Sequence, residues 1–225
     1  MGTAAYIKGE LNMENTMTAD RKTESVGSAS KTRYMVETAL MIAIVLIMSN
    51  TILGTIPTPF LKISIVTVPV ALAAMLIGPG AGIVCGLVFG LNSFVSALTG
   101  ASGLLSALFV INPAGVFFTA VVARVLDAAL VSWIFTLINK GKLKGVSYYI
   151  TGALMPLFNT VFFMTILCLF FYNTDYVQNL VSTYNVGNAF SFVIAMVGVQ
   201  ATVEAVIGCV LAGTIAMVLS KVLHR

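Results

Sequence analysis

From residue 35 onward the chain alternates apolar runs of helix length with short polar breaks. Residues 35–53 (MVETALMIAIVLIMSNTIL) predict a first helix, and GTIPTPFLK at 54–62 follows as a loop because its two prolines stop the helix. Residues 63–77 predict a second, short helix containing Pro69, and GPGAG at 78–82 turns the chain into a third at about 81–98. That turn is uncharged and brief, so the second and third helices form an antiparallel hairpin. Residues 99–113 (TGASGLLSALFVINP) are uncharged and half apolar, which suits a segment folded over a cavity at a membrane surface. A fourth helix is expected at about 114–138, a fifth at about 148–171 after the basic break NKGKLKG, and a sixth at about 189–220 after YNTDYVQNLVSTYNVGN.

Composition turns these runs into membrane spans. Of 225 residues, 59% are hydrophobic and 9% charged, with a mean hydropathy of +1.01, whereas soluble domains carry about 25% charge. A spanning helix needs about 20 mostly apolar residues, so six runs and their loops leave no room for a sizeable extramembrane domain. The expected fold class is an all-α integral membrane protein, a six-transmembrane-helix bundle over residues 34–225. Residues 1–33 are expected to be a disordered polar tail, with Glu10, Glu14, Asp20, Arg21, Lys22 and Glu24 among Ser, Thr and Gly and no stretch apolar enough for a signal peptide.

Charge sets the orientation. Arg21, Lys22, Lys31, Arg33, Lys140, Lys142, Lys144, Lys221 and Arg225 fall on one side of the six expected spans, and Lys62 stands alone on the other. By the positive-inside rule both termini are cytoplasmic and the segments 54–62, 99–113 and 172–188 face outward. The basic residues are too few and too close to apolar segment ends to form a phosphate-binding face, so nucleic acid is not expected as a partner; the lipid bilayer is.

Three ionisable residues remain inside the apolar runs: Arg124 and Asp127 in the fourth, Glu204 in the sixth. A charge there costs several kcal/mol, so each must face a partner or a polar cavity. Arg124 lies roughly 15 Å into its helix and Glu204 about five residues deeper into its own, an offset a long Arg side chain bridges. Such a pair either locks the two helices together or contacts a substrate. Asn92, Asn159 and Gln200 each interrupt an apolar run, and Gln200 shares a helix face with Glu204. Amides and a carboxylate from different helices can converge on one hydrophilic small molecule, or each can bond a neighbouring helix. Asn112 and Asn188, at helix ends, either close such a site or cap their helices. Small residues recur at helical spacing, as Ala39 and Ala43, Gly86 and Gly90, and Ala201, Ala205, Gly208 and Ala212. These ridges allow close helix approach within the fold or against another membrane protein.

Several chemistries are absent. The sequence has no G-x-x-x-x-G-K-[ST] phosphate loop and so no motor of that kind, and His224 is its only histidine, which excludes an H-E-x-x-H metal site. Cys85, Cys168 and Cys209 lie in apolar runs at irregular spacing, which reads as packing. The chain is expected to be no enzyme and to use no metal and no cofactor. No inverted repeat is evident, which weighs against a self-sufficient secondary transporter.

The stretch IPTPFLKISIVTVPVALAAMLIGPGAGIVCGLVFGLNSF at 56–94, with INP at 111–113, ARVLDAAL at 123–130 and FNTVFFM at 158–164, resembles the substrate-binding (S) components of energy-coupling-factor (ECF) vitamin transporters. The resemblance covers about residues 35–222. It implies a six-helix subunit of an ABC importer in the cell membrane that captures a water-soluble vitamin near the outer face. It also implies partnership with a transmembrane T component and two cytoplasmic ATPase subunits, with the S component toppling to release substrate inside. Ala39 and Ala43 match the family's docking surface for the T component, and the gating loop falls at Pro57 to Ser64. The INP and FNTVFFM strings are closest to the pantothenate type, a small flexible acid that the Asn-rich lining with Lys62 or Arg124 suits. Riboflavin binders carry an acidic L-K-I-D-type loop where this chain has Leu61-Lys62-Ile63-Ser64, and the single tryptophan, Trp133, lies toward the cytoplasmic end, against a large flat ligand such as folate or thiamine. The substrate-binding set expected on these grounds is Lys62, Asn92, Asn112, Arg124, Asn159, Gln200 and Glu204. The alternatives are a stand-alone proton-coupled transporter with Glu204 and Asp127 as relay, an S component for another vitamin such as riboflavin or folate, and a non-transporting scaffold.

Overall fold

The computed structural model describes residues 30–57, 62–140, 144–183 and 188–222. The chain divides into two compact units, Met1–Ala39 and Leu40–Arg225, and helix α1 (Ser30–Ser49) contributes residues to each. In the first unit Arg33 Nε donates to Glu37 Oε1 at 2.8 Å, one helical turn on. This pair carries the helix back past the apolar run, so residues 30–33, expected to end the polar tail, are helical instead. The remainder of that expected tail, residues 1–29, lies outside the described residues.

In the second unit, residues 50–54 turn the chain out of α1, four residues earlier than the apolar run suggested. The expected loop at 54–62 contains a strand, β1 (Thr55–Pro57), paired antiparallel with β2 (Lys62–Ser64), with Thr55 opposite Ser64 and Pro57 opposite Lys62. Thr55, Ile56 and Ile63 are β-branched and Pro57 cannot extend a helix, so a short hairpin is what these residues form best.

Helix α2 (Thr67–Ile77) is regular to Leu72 and π-helical over Ala73–Ile77. Pro69 lies in its first turn, where a missing N–H breaks no intrahelical bond. Eleven residues rise only about 16 Å, half of a ~30 Å hydrocarbon core, so α2 does not span as expected. It is apolar on all sides because it is surrounded: Thr67 to Leu72 are all buried, and α2 packs on α3, α5, α6 and α8, defined below. Among the described residues, five helices are long and apolar enough to cross a membrane: α1, α3 (Pro79–Leu98), α5 (Pro113–Asn139), α6 (Lys144–Phe171) and α8 (Ala189–Val222).

Two short helices, α4 (Gly103–Ile111) and α7 (Asp175–Thr183), fill segments expected to be irregular. Leu105 and Leu108 of α4 share a buried cluster with Val177 and Val181 of α7, while Tyr176, Gln178 and Asn179 stay exposed. The half-apolar 99–113 segment is thus a helix that covers the bundle end where α5 begins.

Two of the small-residue ridges, on α3 and α8, work inside the fold. A Cβ on Gly86 would stand 2.7 Å from Ala128 Cβ, and one on Gly90 would stand 2.8 Å from Val121 Cα, so G-x-x-x-G seats α3 on α5. A Cβ on Gly152 would stand 2.5 Å from Gly208 O, and Gly208 also faces the Pro156 ring. Pro156 offers no N–H to the Gly152 carbonyl, and the two glycines let α6 and α8 cross at backbone contact there.

Candidate functional site

The buried apolar residues form two clusters. Phe89, Ala128 and Val131 belong to one, with Val45 and most of α2. Ala120, Val121 and Leu167 belong to the other, against which Phe163 packs. Between them, on α5, stand Arg124, 9% exposed, and Asp127, 2% exposed. A polar layer therefore separates two hydrophobic cores.

Local structure puts Arg124 there. Asn112 caps α5, accepting from Gly115 N at 3.0 Å, and Pro113 takes the first helical position. Residues Phe118–Val122 then widen into a π-helical stretch, a distortion that recurs at functional sites. Arg124 Nη1 donates back into this stretch, to Ala120 O at 2.9 Å. Its guanidinium carbon lies 4.4 Å from the Phe89 ring centre and 5.5 Å from that of Phe163, and these ring faces stabilise the buried cation beside the charge of Asp127. Arg124 Nε and Asp127 Oδ1 are buried and have no hydrogen-bond partner.

Helix α6 adds Asn159, one turn from Phe163, and its buried Oδ1 is likewise unpartnered. Helix α8 adds Glu204, 3% exposed. Because α6 and α8 run antiparallel and cross where Gly208 meets Gly152 and Pro156, four residues along each from that crossing bring Glu204 level with the turn from Pro156 to Thr160, which holds Asn159. Asn159 and Glu204 thus lie within about one helical turn, ~5.4 Å, in depth.

The expected Arg124–Glu204 pair is not formed. Glu204 Oε1 accepts instead from Ser64 N at 2.8 Å and from Gln200 Nε2 at 2.9 Å. Two donors already serve that oxygen, and Arg124 is turned onto aromatic faces. The carboxylate therefore fastens the β-hairpin to α8, with Gln200 bracing it from one turn away.

Other expected site residues have different roles. Asn92 Oδ1 accepts from Asn50 Nδ2 at 3.0 Å, tying α3 to the chain just beyond α1. Asn112 is the cap described above, some 18 Å of helix from Arg124, and Asn188 caps α8 by accepting from Ser191 N at 2.8 Å. Lys62 is a strand residue of β2, and residues 58–61 of the expected gate lie outside the described residues. Ala39 and Ala43 are exposed on α1. The fold joins Gln200 and Glu204 to Ser64 of the expected gate and sets Arg124 against Phe89 and Phe163, two phenylalanines that sequence reasoning missed. A phenylalanine in an apolar run carries no mark of its role, and no pattern shows which loop N–H meets a carboxylate. Among the described residues no three His, Cys, Asp or Glu side chains are grouped to hold a metal ion.

A membrane-spanning helical bundle with a polar layer at mid-depth, unmet donors and acceptors in it and a hairpin tied to it is the architecture of a small-molecule capture protein. The family model for the substrate-specific component of ECF transporters matches residues 33–219, and the chain belongs to that family. Comparison with curated proteins found no match.

Proposed function

We propose that this chain captures a water-soluble vitamin, pantothenate or a similarly small polar nutrient, and delivers it to an ECF-type ABC importer. The observation that carries this reading is the polar layer, in which Arg124 Nε and Asn159 Oδ1 are buried without partners. A buried polar atom left unpaired costs about 1–3 kcal/mol, and a ligand with a carboxylate, an amide and hydroxyls supplies what both atoms lack. Arg124 would take the acid and Asn159 an amide or hydroxyl, while Glu204 and Gln200 hold the hairpin over them. The chain itself performs no catalysis; a transmembrane T component, docking on Ala39 and Ala43, and two ATPase subunits would supply the work. In this reading both termini lie in the cytoplasm, as the excess of Lys and Arg on their side favours, the bundle crosses the plasma membrane, and α2 is its sixth, half-length helix.

Purified protein without partners, titrated with tritiated pantothenate, riboflavin, folate and thiamine, tests this. Saturable submicromolar binding of pantothenate is expected; binding of none of the four overturns the reading, and binding of another one alone corrects the ligand. A second reading is favoured by the buried, unpartnered Asp127 Oδ1: a stand-alone proton-coupled transporter. It predicts uptake by liposomes containing this chain alone, abolished by a protonophore, whereas capture predicts none.

A further inference from the structure

Resting on the capture reading above, we propose that Asp127 is a specificity-determining residue of the polar layer: with Asn159 it takes a hydroxyl of the ligand, at least one helical turn from the acid that Arg124 takes. Helices α5 and α6 pack side by side, and two contacts fix their antiparallel register. At one end Ser147 Oγ donates to Asn139 Oδ1 at 3.3 Å. At the other a Cβ on Gly115 would stand 2.7 Å from Phe171 Cζ. Twelve residues inward from the first contact, along each helix, lie Asp127 and Asn159, and twelve residues inward from the second lie the same two. The two therefore share one level. They also share the interface, because Val131 and Phe135 on α5 and Thr151 and Met155 on α6 follow them at four-residue steps toward the Asn139 end, and all four are buried.

Each of the two residues brings an acceptor that nothing meets. Asp127 Oδ1 and Asn159 Oδ1 are buried without a hydrogen-bond partner, so the Asn159 amide does not donate to this Asp127 oxygen across the interface. Two such acceptors on facing helices call for a donor, and a hydroxyl is the small neutral group that supplies one. A metal ion is a poor occupant: the cation Arg124 is one turn away, and among the described residues no three His, Cys, Asp or Glu side chains are grouped to hold one. Arg124 defines the other pole. Its Nε is buried and unpartnered, and its Nη1 reaches back to Ala120 O at 2.9 Å, so the guanidinium extends away from Asp127. The rise from Arg124 to Asp127 is ~4.5 Å, and from Ala120 to Asp127 ~10 Å. Donor pole and acceptor pole thus stand roughly 5–10 Å apart along the helix. That spacing fits an acid whose hydroxyl is at its far end, and it rejects one whose hydroxyl is on the carbon next to the acid.

The test is equilibrium binding of tritiated pantothenate to the purified full chain, in competition with unlabelled pantothenate and with its analogue in which both hydroxyls are replaced by hydrogen and the acid and amide are kept. We expect the unsubstituted chain to prefer pantothenate by about tenfold or more. Asp127→Leu, nearly the same shape without an acceptor, shrinks that preference several-fold, and Asp127→Asn, which keeps one acceptor oxygen, shrinks it less. Arg124→Gln weakens both compounds and leaves their ratio unchanged. A merely structural Asp127 would weaken both compounds alike. Equal binding of the two by the unsubstituted chain overturns the proposal, as does a ratio that both Asp127 variants leave unchanged. No binding of pantothenate by the unsubstituted chain overturns the capture reading, and this proposal with it.

Discussion

Arg124 meets the cost of burying a cation in three partial ways: one N–H on a π-helical carbonyl, and two aromatic faces. Glu204 is not a fourth, since it is held by Ser64 and Gln200; the acid whose charge reaches Arg124 is Asp127, three residues on. Charge exchange therefore distinguishes this arrangement from a structural ion pair. The double variant Arg124→Glu with Glu204→Arg is expected to fold no better than either single one, as read by yield and melting temperature. Recovery would restore the direct pair. Removing only the charge, with Arg124→Gln, is expected to weaken pantothenate binding about 10- to 100-fold, the worth of a charge-assisted hydrogen bond. That Arg124, Asn159, Gln200 and Glu204 belong together was legible, because each polar residue stands out in an apolar run. The partner choice was not, since it depends on a hairpin backbone N–H and two phenylalanines that look like any other core residue.

Helices were legible where a run was long and bounded by Pro or Gly, as with α3 and α5, whose starts at Pro79 and Pro113 follow the N1 preference of proline. Reading failed where tertiary packing overrode a local pattern. The second apolar run is continuous enough to resemble a span, yet four surrounding helices bury it as a half-length helix. The hairpin at 55–64 escaped because prolines report only that no helix continues, not that two short strands pair. Its tie to α8 gives a prediction at this scale: Glu204→Ala frees the hairpin, so the ligand dissociation rate, followed by filter binding after dilution, is expected to rise at least several-fold with α8 intact. The crossing of α6 and α8 gives another. Gly208→Leu drives a side chain into Gly152 and Pro156 and is expected to cost about 2–4 kcal/mol, read as a lowered melting temperature. On α1 the exposed Ala39 and Ala43 await a partner helix in our reading. Ala39→Leu with Ala43→Leu is expected to abolish uptake by the assembled transporter and leave substrate binding by the isolated chain unchanged; a loss of binding would contradict the separation of docking from capture.

Across the whole molecule, charge falls into three populations with different work. Lys140 marks the basic end, Arg33 pairs along its own helix, and Arg124, Asp127 and Glu204 are buried between apolar clusters. Only the buried set strains stability, and a bundle that keeps unpaired polar atoms at its centre exchanges stability for a function. Asn159 tests this most directly, because leucine has nearly its shape and none of its polarity. Equilibrium binding of tritiated pantothenate to the purified Asn159→Leu chain, with its melting temperature measured in the same preparation, is the decisive measurement. Our account predicts binding weakened about tenfold or more together with a melting temperature raised by a few degrees. Unchanged binding in a chain that melts no lower than the original would contradict the claim that the polar layer is the capture site.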